Sequence, residues 1–241
     1  LLYCFYIQYF EIKIMNALLQ QLQNRQLIWQ ASQTEAPYEH CQSTGFAALD
    51  KLLGGGWPQH TVIELQSHGA CAEVQLIDKA LDGSGSELLQ IWINPPAQLC
   101  AEYLLQQQRP LHQVLQLQAP RSADALWAAE LCLKSGSCAD VLLWQHQLNL
   151  TQLKRLQLAA AQGQSQLYLF RPALAEQQLL PWALSLQLLP VSAGLQIRIL
   201  KRKGGWQQQE LLLPWAELYP HFIKPQLQQM QYSNPPLSRV S

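Results

Sequence analysis

Residues 61–77 read TVIELQSHGACAEVQLI, and this stretch decides the fold. It begins as a β-rich run, continues with small residues and then takes on the pattern of a helix start. A buried strand that leads through a small-residue turn into a helix is the layout of a phosphate-binding loop, in which backbone N–H groups and the helix N-terminus hold phosphate oxygens. The stretch therefore predicts an α/β fold built around such a loop.

The residues that give a phosphate-binding loop its chemistry are missing. A working loop closes with Lys followed by Ser or Thr, because the ammonium reaches the outer phosphates and the hydroxyl holds magnesium. Glu73 and Val74 occupy those positions here. Like charges 4 Å apart cost about 4 kcal/mol at an effective dielectric constant of 20, so a carboxylate repels nucleotide. We predict a degenerate loop that binds no cofactor and consists of Ser67, His68, Gly69, Ala70, Cys71, Ala72, Glu73 and Val74.

Composition predicts one globular core with no strong net field. The chain has 241 residues, of which 49% are hydrophobic, and this is enough apolar material for one sizeable core. Sixteen Lys and Arg balance sixteen Asp and Glu, so the whole molecule is not drawn to nucleic acid. The six cysteines show no C-x-x-C spacing and the six histidines are scattered. This pattern predicts reduced thiols in a cytosolic protein and no metal site.

The two ends of the chain are expected to lie outside the core. Residues 1–14 precede Met15, where we expect translation to start. They have no basic n-region and no small-residue cleavage site, and charged residues interrupt them, so they predict neither a signal peptide nor a membrane span. Four segments are expected: an extension at 1–14, a helix (16–29) and linker within 15–42, a core at 43–224, and a flexible polar tail at 225–241.

Short apolar strands alternate with amphipathic helices along the core, which is typical of a parallel sheet covered by helices on both faces. A first core helix is expected to begin with Thr44 as its N-cap and to end at Gly54. The strands are expected at 61–66, 88–93, 114–118, 141–144 and 167–170. The helices are expected at 72–82, 97–108, 122–135, 150–162 and 174–184. Period-two alternation at 195–199 then predicts an antiparallel extension at one edge.

No replacement catalytic group is evident in the sequence. An ATPase of this layout needs an acidic residue after strand 141–144, but Trp144, Gln145 and His146 follow instead. The run KSGSCAD at 134–140 is either a nucleophile on a turn or a turn in which Gly136 ends the preceding helix, and no histidine is tied to it by any pattern. His146 is either a ligand-binding residue at a strand end or a structural, solvent-facing one. The sequence predicts that the protein is not an enzyme.

Two groups of residues are candidates for binding a partner. Trp127 and Leu131 lie off the apolar stripe of helix 122–135, so they are either covered by a neighbouring helix or exposed as an interface anchor. Trp57, next to the glycine cluster, poses the same alternative. The second group is basic and is either a solvated turn or a weak contact with DNA phosphates. It consists of Lys201, Arg202 and Lys203, with Lys154 and Arg155 expected to lie near it.

The run STGFAALDKLLGGGWPQHTVIEL at 43–65 resembles the segment that leads into the ATPase core of RecA-type recombinases. The resemblance is closer to ImuA, a RecA-like accessory protein of translesion synthesis, through GGGWP, SADALWAAELCLKSGSCADVLLW at 122–144, Phe-Arg-Pro at 170–172 and the basic group at 201–205. It covers about 16–210. It implies a RecA-like fold and a non-catalytic adaptor or RecA-filament modulator in SOS-induced error-prone synthesis. The implied partners are ImuB, RecA and an error-prone C-family polymerase, in the cytoplasm and at the nucleoid when bound.

Residues 87–172 also resemble SulA, the SOS-induced division inhibitor that binds the tubulin-like protein FtsZ. SulA proteins lack the segment that resembles RecA and the basic strand near the C-terminus, so ImuA is the expected family and SulA the alternative. The SulA resemblance implies a protein that caps FtsZ protomers. A third alternative is a vestigial domain without binding activity of its own.

Overall fold

The computed structural model describes residues 40–67, 72–81, 87–173, 180–203 and 209–220. The predicted helix at 16–29 and the predicted tail from residue 225 lie outside the described residues. The same is true of loop residues 68–71 and of most of the helix predicted at 174–184.

The described chain contains short helices and strands, which alternate from the third strand to the seventh and are followed by three strands in succession. In chain order they are β1 (Cys41–Gln42), α1 (Ala47–Leu53), β2 (Trp57–Pro58), β3 (Val62–Ser67), α2 (Glu73–Ile77), β4 (Leu89–Ile93), α3 (Ala101–Gln106), β5 (Val114–Leu117), α4 (Ser122–Lys134), β6 (Cys138–Trp144), α5 (Leu150–Gly163), β7 (Gln166–Pro172), β8 (Leu184–Val191), β9 (Gly194–Arg202), β10 (Glu210–Pro214) and α6 (Trp215–Leu218).

Eight of the strands form one sheet in the order β10-β9-β8-β3-β7-β6-β4-β5. The six strands from β8 to β5 are parallel to their neighbours. Strands β9 and β10 run antiparallel at one edge. This arrangement confirms the predicted mostly parallel α/β sheet with an antiparallel extension.

Helices cover both faces of the sheet, as the continuous apolar strands predicted. On one face, α1 and α2 pack against alternate residues of the central strands, such as Leu65, Leu142 and Tyr168. On the other face, α4 and α5 pack against the residues between them, such as Val141 and Leu167. Because side chains alternate along a strand, each central strand contributes to both cores.

The first core helix begins later than predicted. Thr44 is not its N-cap: the helix begins at Ala47, and the Thr44 hydroxyl accepts a hydrogen bond from the Phe46 backbone N–H at 3.1 Å. The Thr44 backbone N–H donates to the Asp50 carboxylate at 2.7 Å, so this residue closes a turn before the helix. The predicted end is confirmed, because Gly54 adopts the left-handed conformation with φ of 71°.

Several other predictions were wrong at their boundaries. The helix expected at 72–82 spans Glu73–Ile77, and the helix expected at 97–108 spans Ala101–Gln106. Strand β6 begins at Cys138 and not at residue 141, because Cys138 and Asp140 already pair with β4. The helix expected over 174–184 does not extend through its last residues: residues 180–183 are not helical and Leu184 begins β8. The burial of Leu184, Leu186 and Leu188 on one face of β8 explains why this segment joins the sheet.

Candidate functional site

The degenerate loop leaves a carboxylate at the start of α2. Strand β3 ends at Ser67, and the Ser67 hydroxyl donates a hydrogen bond to Oε1 of Glu73. Glu73 is only 6% exposed. The position that the sequence predicted for the lysine of a working loop is therefore a buried carboxyl group bonded to Ser67.

Three aromatic rings line the carboxyl ends of the neighbouring strands on the same face. Trp144 of β6 lies between Phe170 of β7, with ring centroids 4.3 Å apart, and Trp92 of β4, with centroids 5.8 Å apart. Both pairs are stacked, at interplanar angles of 13° and 22°. Trp144 stands at the strand end where the resemblance to RecA-type ATPases implies an acidic residue, and it presents aromatic surface there.

A cavity of about 310 Å³ opens between this aromatic stack and the start of α2. Its wall includes Glu73 but no Lys, Arg or His among the described residues. The lining consists of Ala72, Glu73, Val74, Gln75, Trp92, Pro95, Pro96, Ala97, Gln98, Leu99, Cys100, Tyr103, Trp144 and Tyr219. We call it the aromatic pocket.

Helix α3 is fixed to α2 beside the aromatic pocket by a buried polar network. The Tyr103 hydroxyl lies 3.0 Å from Oε1 of Gln75 and 3.3 Å from Oδ1 of Asp78. Arg109 forms an ion pair with Asp78 and donates to the Asp78 carbonyl at 3.0 Å. Burial, and then the Asp78 charge, raise the pKa of Tyr103 above its ordinary value, so the phenol stays neutral at physiological pH. One side of the pocket is therefore held rigidly.

A buried ion pair crosses the middle of the sheet on the opposite face. Arg171 of β7 lies 2.6 Å from Oε1 of Glu64, and the Ser185 hydroxyl donates to Oε2 of Glu64 at 2.5 Å. Arg171 also donates to the His146 carbonyl at 3.2 Å. Arg171 and His146 line a second cavity of about 710 Å³ beside the start of α5. The glutamate at the centre of β3 thus has a structural partner.

Trp57 is buried in the core, whereas Trp127 and Leu131 of α4 are exposed at the surface. Trp57 is 1% exposed and packs edge-on against Tyr168, with centroids 6.1 Å apart, so it is a core residue and not an interface anchor. Trp127 and Leu131 are 64% and 55% exposed, so no neighbouring helix covers them among the described residues. The structure therefore retains Trp127 and Leu131 as surface candidates, and their binding role stays a prediction.

The basic group is largely engaged in holding the chain together. Lys201 donates to the Leu180 carbonyl at 2.9 Å, and Arg202 donates to the Leu52 carbonyl at 3.0 Å. The Lys203 backbone N–H donates to the Ala183 carbonyl. These contacts tie β9 to the segments beside it, which leaves the expected contact with DNA as an untested and minor prediction.

The KSGSCAD run is a turn. Gly136 follows α4 with φ of 67°, as expected for a residue that ends a helix. The Ser135 hydroxyl donates to the Cys132 carbonyl at 2.8 Å and accepts from the Ser137 backbone N–H at 3.1 Å. The Ser135 hydroxyl and the Ser137 backbone N–H are thereby used in closing the turn. Asp140 lies farther along, inside β6, where burial raises its pKa to about 7.

Sequence reasoning found Glu73 and Trp144 but missed the pocket between them. Trp92 and Phe170 also stand near the carboxyl ends of parallel strands, which meet at one edge of a sheet. That shared position is the signal that predicts an aromatic cluster. Tyr103 carried no signal, because its place depends on how α3 packs against α2.

The comparisons with known proteins point to one family over part of the chain. Residues 82–166 match the sequence profile of the family described as cell division inhibitor SulA. A cell division inhibitor SulA of Photorhabdus laumondii is 32% identical over 82 residues, which are 34% of this chain and 46% of that protein. The crystal structure of SulA from Pseudomonas aeruginosa aligns with 46% of this chain and 98% of its own, at 27% identity and a TM-score of 0.39.

These matches favour the SulA alternative over the expected ImuA assignment. They agree with the wider group in which both resemblances fall, but they do not single out ImuA. Within the described ranges, no helix has the length and apolarity needed to cross a membrane.

Proposed function

We propose that this chain is a non-catalytic, SulA-like inhibitor of cell division that acts in the cytoplasm by binding FtsZ. The observation that carries the proposal is the match of residues 82–166 to the family of cell division inhibitor SulA. The relative's match spans 46% of that protein, so the activity is proposed here from the matched part alone.

The matched part contains the surfaces suited to binding. It runs from β4 through α5 and forms one side of the sheet with its covering helices. It holds Trp92, Tyr103 and Trp144 of the aromatic pocket and the exposed Trp127 and Leu131. Large exposed aromatic and aliphatic side chains are typical anchors of protein interfaces.

A binding role without catalysis is supported by the chemistry at the loop. Glu73 stands where phosphate chemistry needs a cation, and Trp144 stands where it needs a carboxylate. Both changes disfavour magnesium-bound nucleotide at this edge of the sheet.

Sedimentation of FtsZ polymers formed with GTP tests the proposal. We expect the full-length chain to reduce the pelleted fraction of FtsZ as its concentration rises, with an end point near equimolar chain because a capped protomer cannot add to a filament. The heat-unfolded chain is the control. Unchanged pelleting in the presence of excess folded chain would exclude the proposal.

A second candidate is the ImuA-like adaptor of translesion synthesis. It is favoured by one observation: β3, at the centre of the sheet, and the strands β8 to β10 lie outside the part matched to SulA. The segment before and within β3 is the one that resembles RecA-type proteins. This candidate predicts binding to RecA, ImuB or the C-family polymerase and no effect on FtsZ pelleting.

A further inference from the structure

The aromatic pocket combines a buried acid with apolar and aromatic walls. Glu73 supplies the carboxylate, and Trp92, Trp144, Tyr103 and Tyr219 supply the rings. No cationic residue of the described chain lines it. Among the described residues of the lining, no cation therefore stands opposite the Glu73 carboxyl group.

The Glu73 carboxylate retains hydrogen-bonding capacity. Ser67 donates to Oε1, and among the described residues none donates to Oε2. A carboxylate accepts hydrogen bonds at both oxygens, and a guanidinium fork matches both in one plane. A ligand that supplies hydrogen-bond donors and a positive charge would therefore complete the hydrogen bonding of the Glu73 carboxylate.

We propose that the aromatic pocket binds an arginine side chain presented by a protein partner. The guanidinium is planar, weakly hydrated and able to stack on aromatic rings while it pairs with a carboxylate. A lysine ammonium is more strongly hydrated and cannot stack in this way. The volume of about 310 Å³ is at the small end of ligand sites and suits one side chain.

Charge complementarity also disfavours a nucleotide, which is the ligand that a phosphate-binding loop would hold. A nucleotide would place phosphates against the Glu73 carboxylate, with no cation among the described lining residues to offset the repulsion. The same carboxylate attracts a guanidinium.

This inference rests on the proposed function only in taking the occupant to be part of a protein. It is tested without any partner, by calorimetric titration of the full-length chain with the capped tripeptide Ac-Gly-Arg-Gly-NH2. The matched probe replaces arginine with citrulline, which has the same shape and no charge. We expect the arginine peptide to bind at least tenfold more tightly than the citrulline peptide.

Two variants locate the binding. Glu73→Gln keeps the side-chain size and should abolish the tenfold preference, whereas Glu102→Gln, on the exposed side of α3, should retain it. Indole NMR signals of Trp92 and Trp144 should shift on titration of the unaltered chain, which keeps the test decisive if Glu73→Gln does not fold.

Equal binding of the two peptides, no binding of either, or tighter binding of ATP than of the arginine peptide would overturn the inference. So would loss of the preference in Glu102→Gln. Because no FtsZ is present, the pocket can fail this test while FtsZ pelleting is still inhibited. Conversely, arginine selectivity with no FtsZ effect would leave the pocket standing and remove the proposed partner.

Discussion

Replacing Asp140 with Asn should change how the stability of this protein depends on pH. Asp140 lies inside β6, in register with Gln90 on one side and Gln166 on the other. It is buried, and among the described residues no side chain donates a hydrogen bond to it. Burial raises its pKa to about 7, against an opposing effect of the Arg109 charge. Tyr168, whose own pKa is raised by burial, is the other titratable group that interacts with it.

The direction of the effect follows from this raised pKa. The folded protein holds the Asp140 proton up to about pH 7, while the unfolded chain releases it near 3.8. The contribution of Asp140 to the free energy of unfolding is therefore fully present below pH 4 and is lost as the pH rises to 7. Over the whole range the loss is about 4 kcal/mol, at 1.36 kcal/mol for each pH unit. Between pH 5 and pH 8 it is about 3 kcal/mol.

Urea unfolding followed by circular dichroism at pH 5 and pH 8 measures this loss. The Asn side chain keeps the shape of Asp140 but carries no charge, so the variant should gain about 3 kcal/mol relative to the unaltered protein between the two pH values. Asp124→Asn, at an exposed position paired with Arg121, is the matched control and should run parallel to the unaltered protein. Parallel curves for Asp140→Asn as well would refute the reasoning.

Three further substitutions test the packing and the surface. Glu64→Gln leaves the buried Arg171 without its opposite charge, and urea unfolding should show a loss of about 3–5 kcal/mol. Gly163→Ala places a methyl group 1.8 Å from the Leu133 carbonyl oxygen, so α4 and α5 must separate at their ends, and thermal unfolding should show a loss of about 1–3 kcal/mol. Trp127→Ser should leave the melting temperature unchanged and weaken FtsZ binding about tenfold in a biosensor assay, because an exposed anchor contributes to the interface and not to the core.

Each of these predictions has a matched control. Glu210→Gln removes one partner of an exposed ion pair and should change stability little; an equal loss in both Glu variants would contradict the burial argument. Gly136→Ala meets open space, so its cost should come from backbone strain at φ of 67° alone and it should leave the packing of α4 against α5 undisturbed. Leu212→Ser alters an exposed leucine outside the SulA match and should preserve FtsZ binding, so equal weakening would show that Trp127 is not a specific contact.

The class of fold and most of its elements were predictable because the strands are short, apolar and continuous. A strand buried on both faces needs no alternation, so runs such as VIEL and LYLF stand out from the amphipathic helices between them. The helix predicted over 174–184 was wrong in its last residues. Residues 180–183 are not helical, and Leu184 already belongs to β8, where it pairs with Ile63 of β3.

The site was predictable only in part. The loss of a phosphate-binding lysine at Glu73 follows from the sequence, since it depends on local order along the chain. The pocket depends on Trp92, Tyr103, Trp144 and Tyr219, which meet only through the order of the strands and the packing of the helices on the sheet. The fate of Trp57 was likewise open, because burial against Tyr168 depends on how the turn before β3 folds back.

A biolayer binding assay of the full-length chain against purified FtsZ, RecA and ImuB, with and without ATP, tests the proposed function most directly. A SulA-like inhibitor should bind FtsZ saturably, should do so equally with and without ATP, and should give no signal with RecA or ImuB. Binding to RecA or ImuB without binding to FtsZ would contradict it and identify the chain as an adaptor of translesion synthesis.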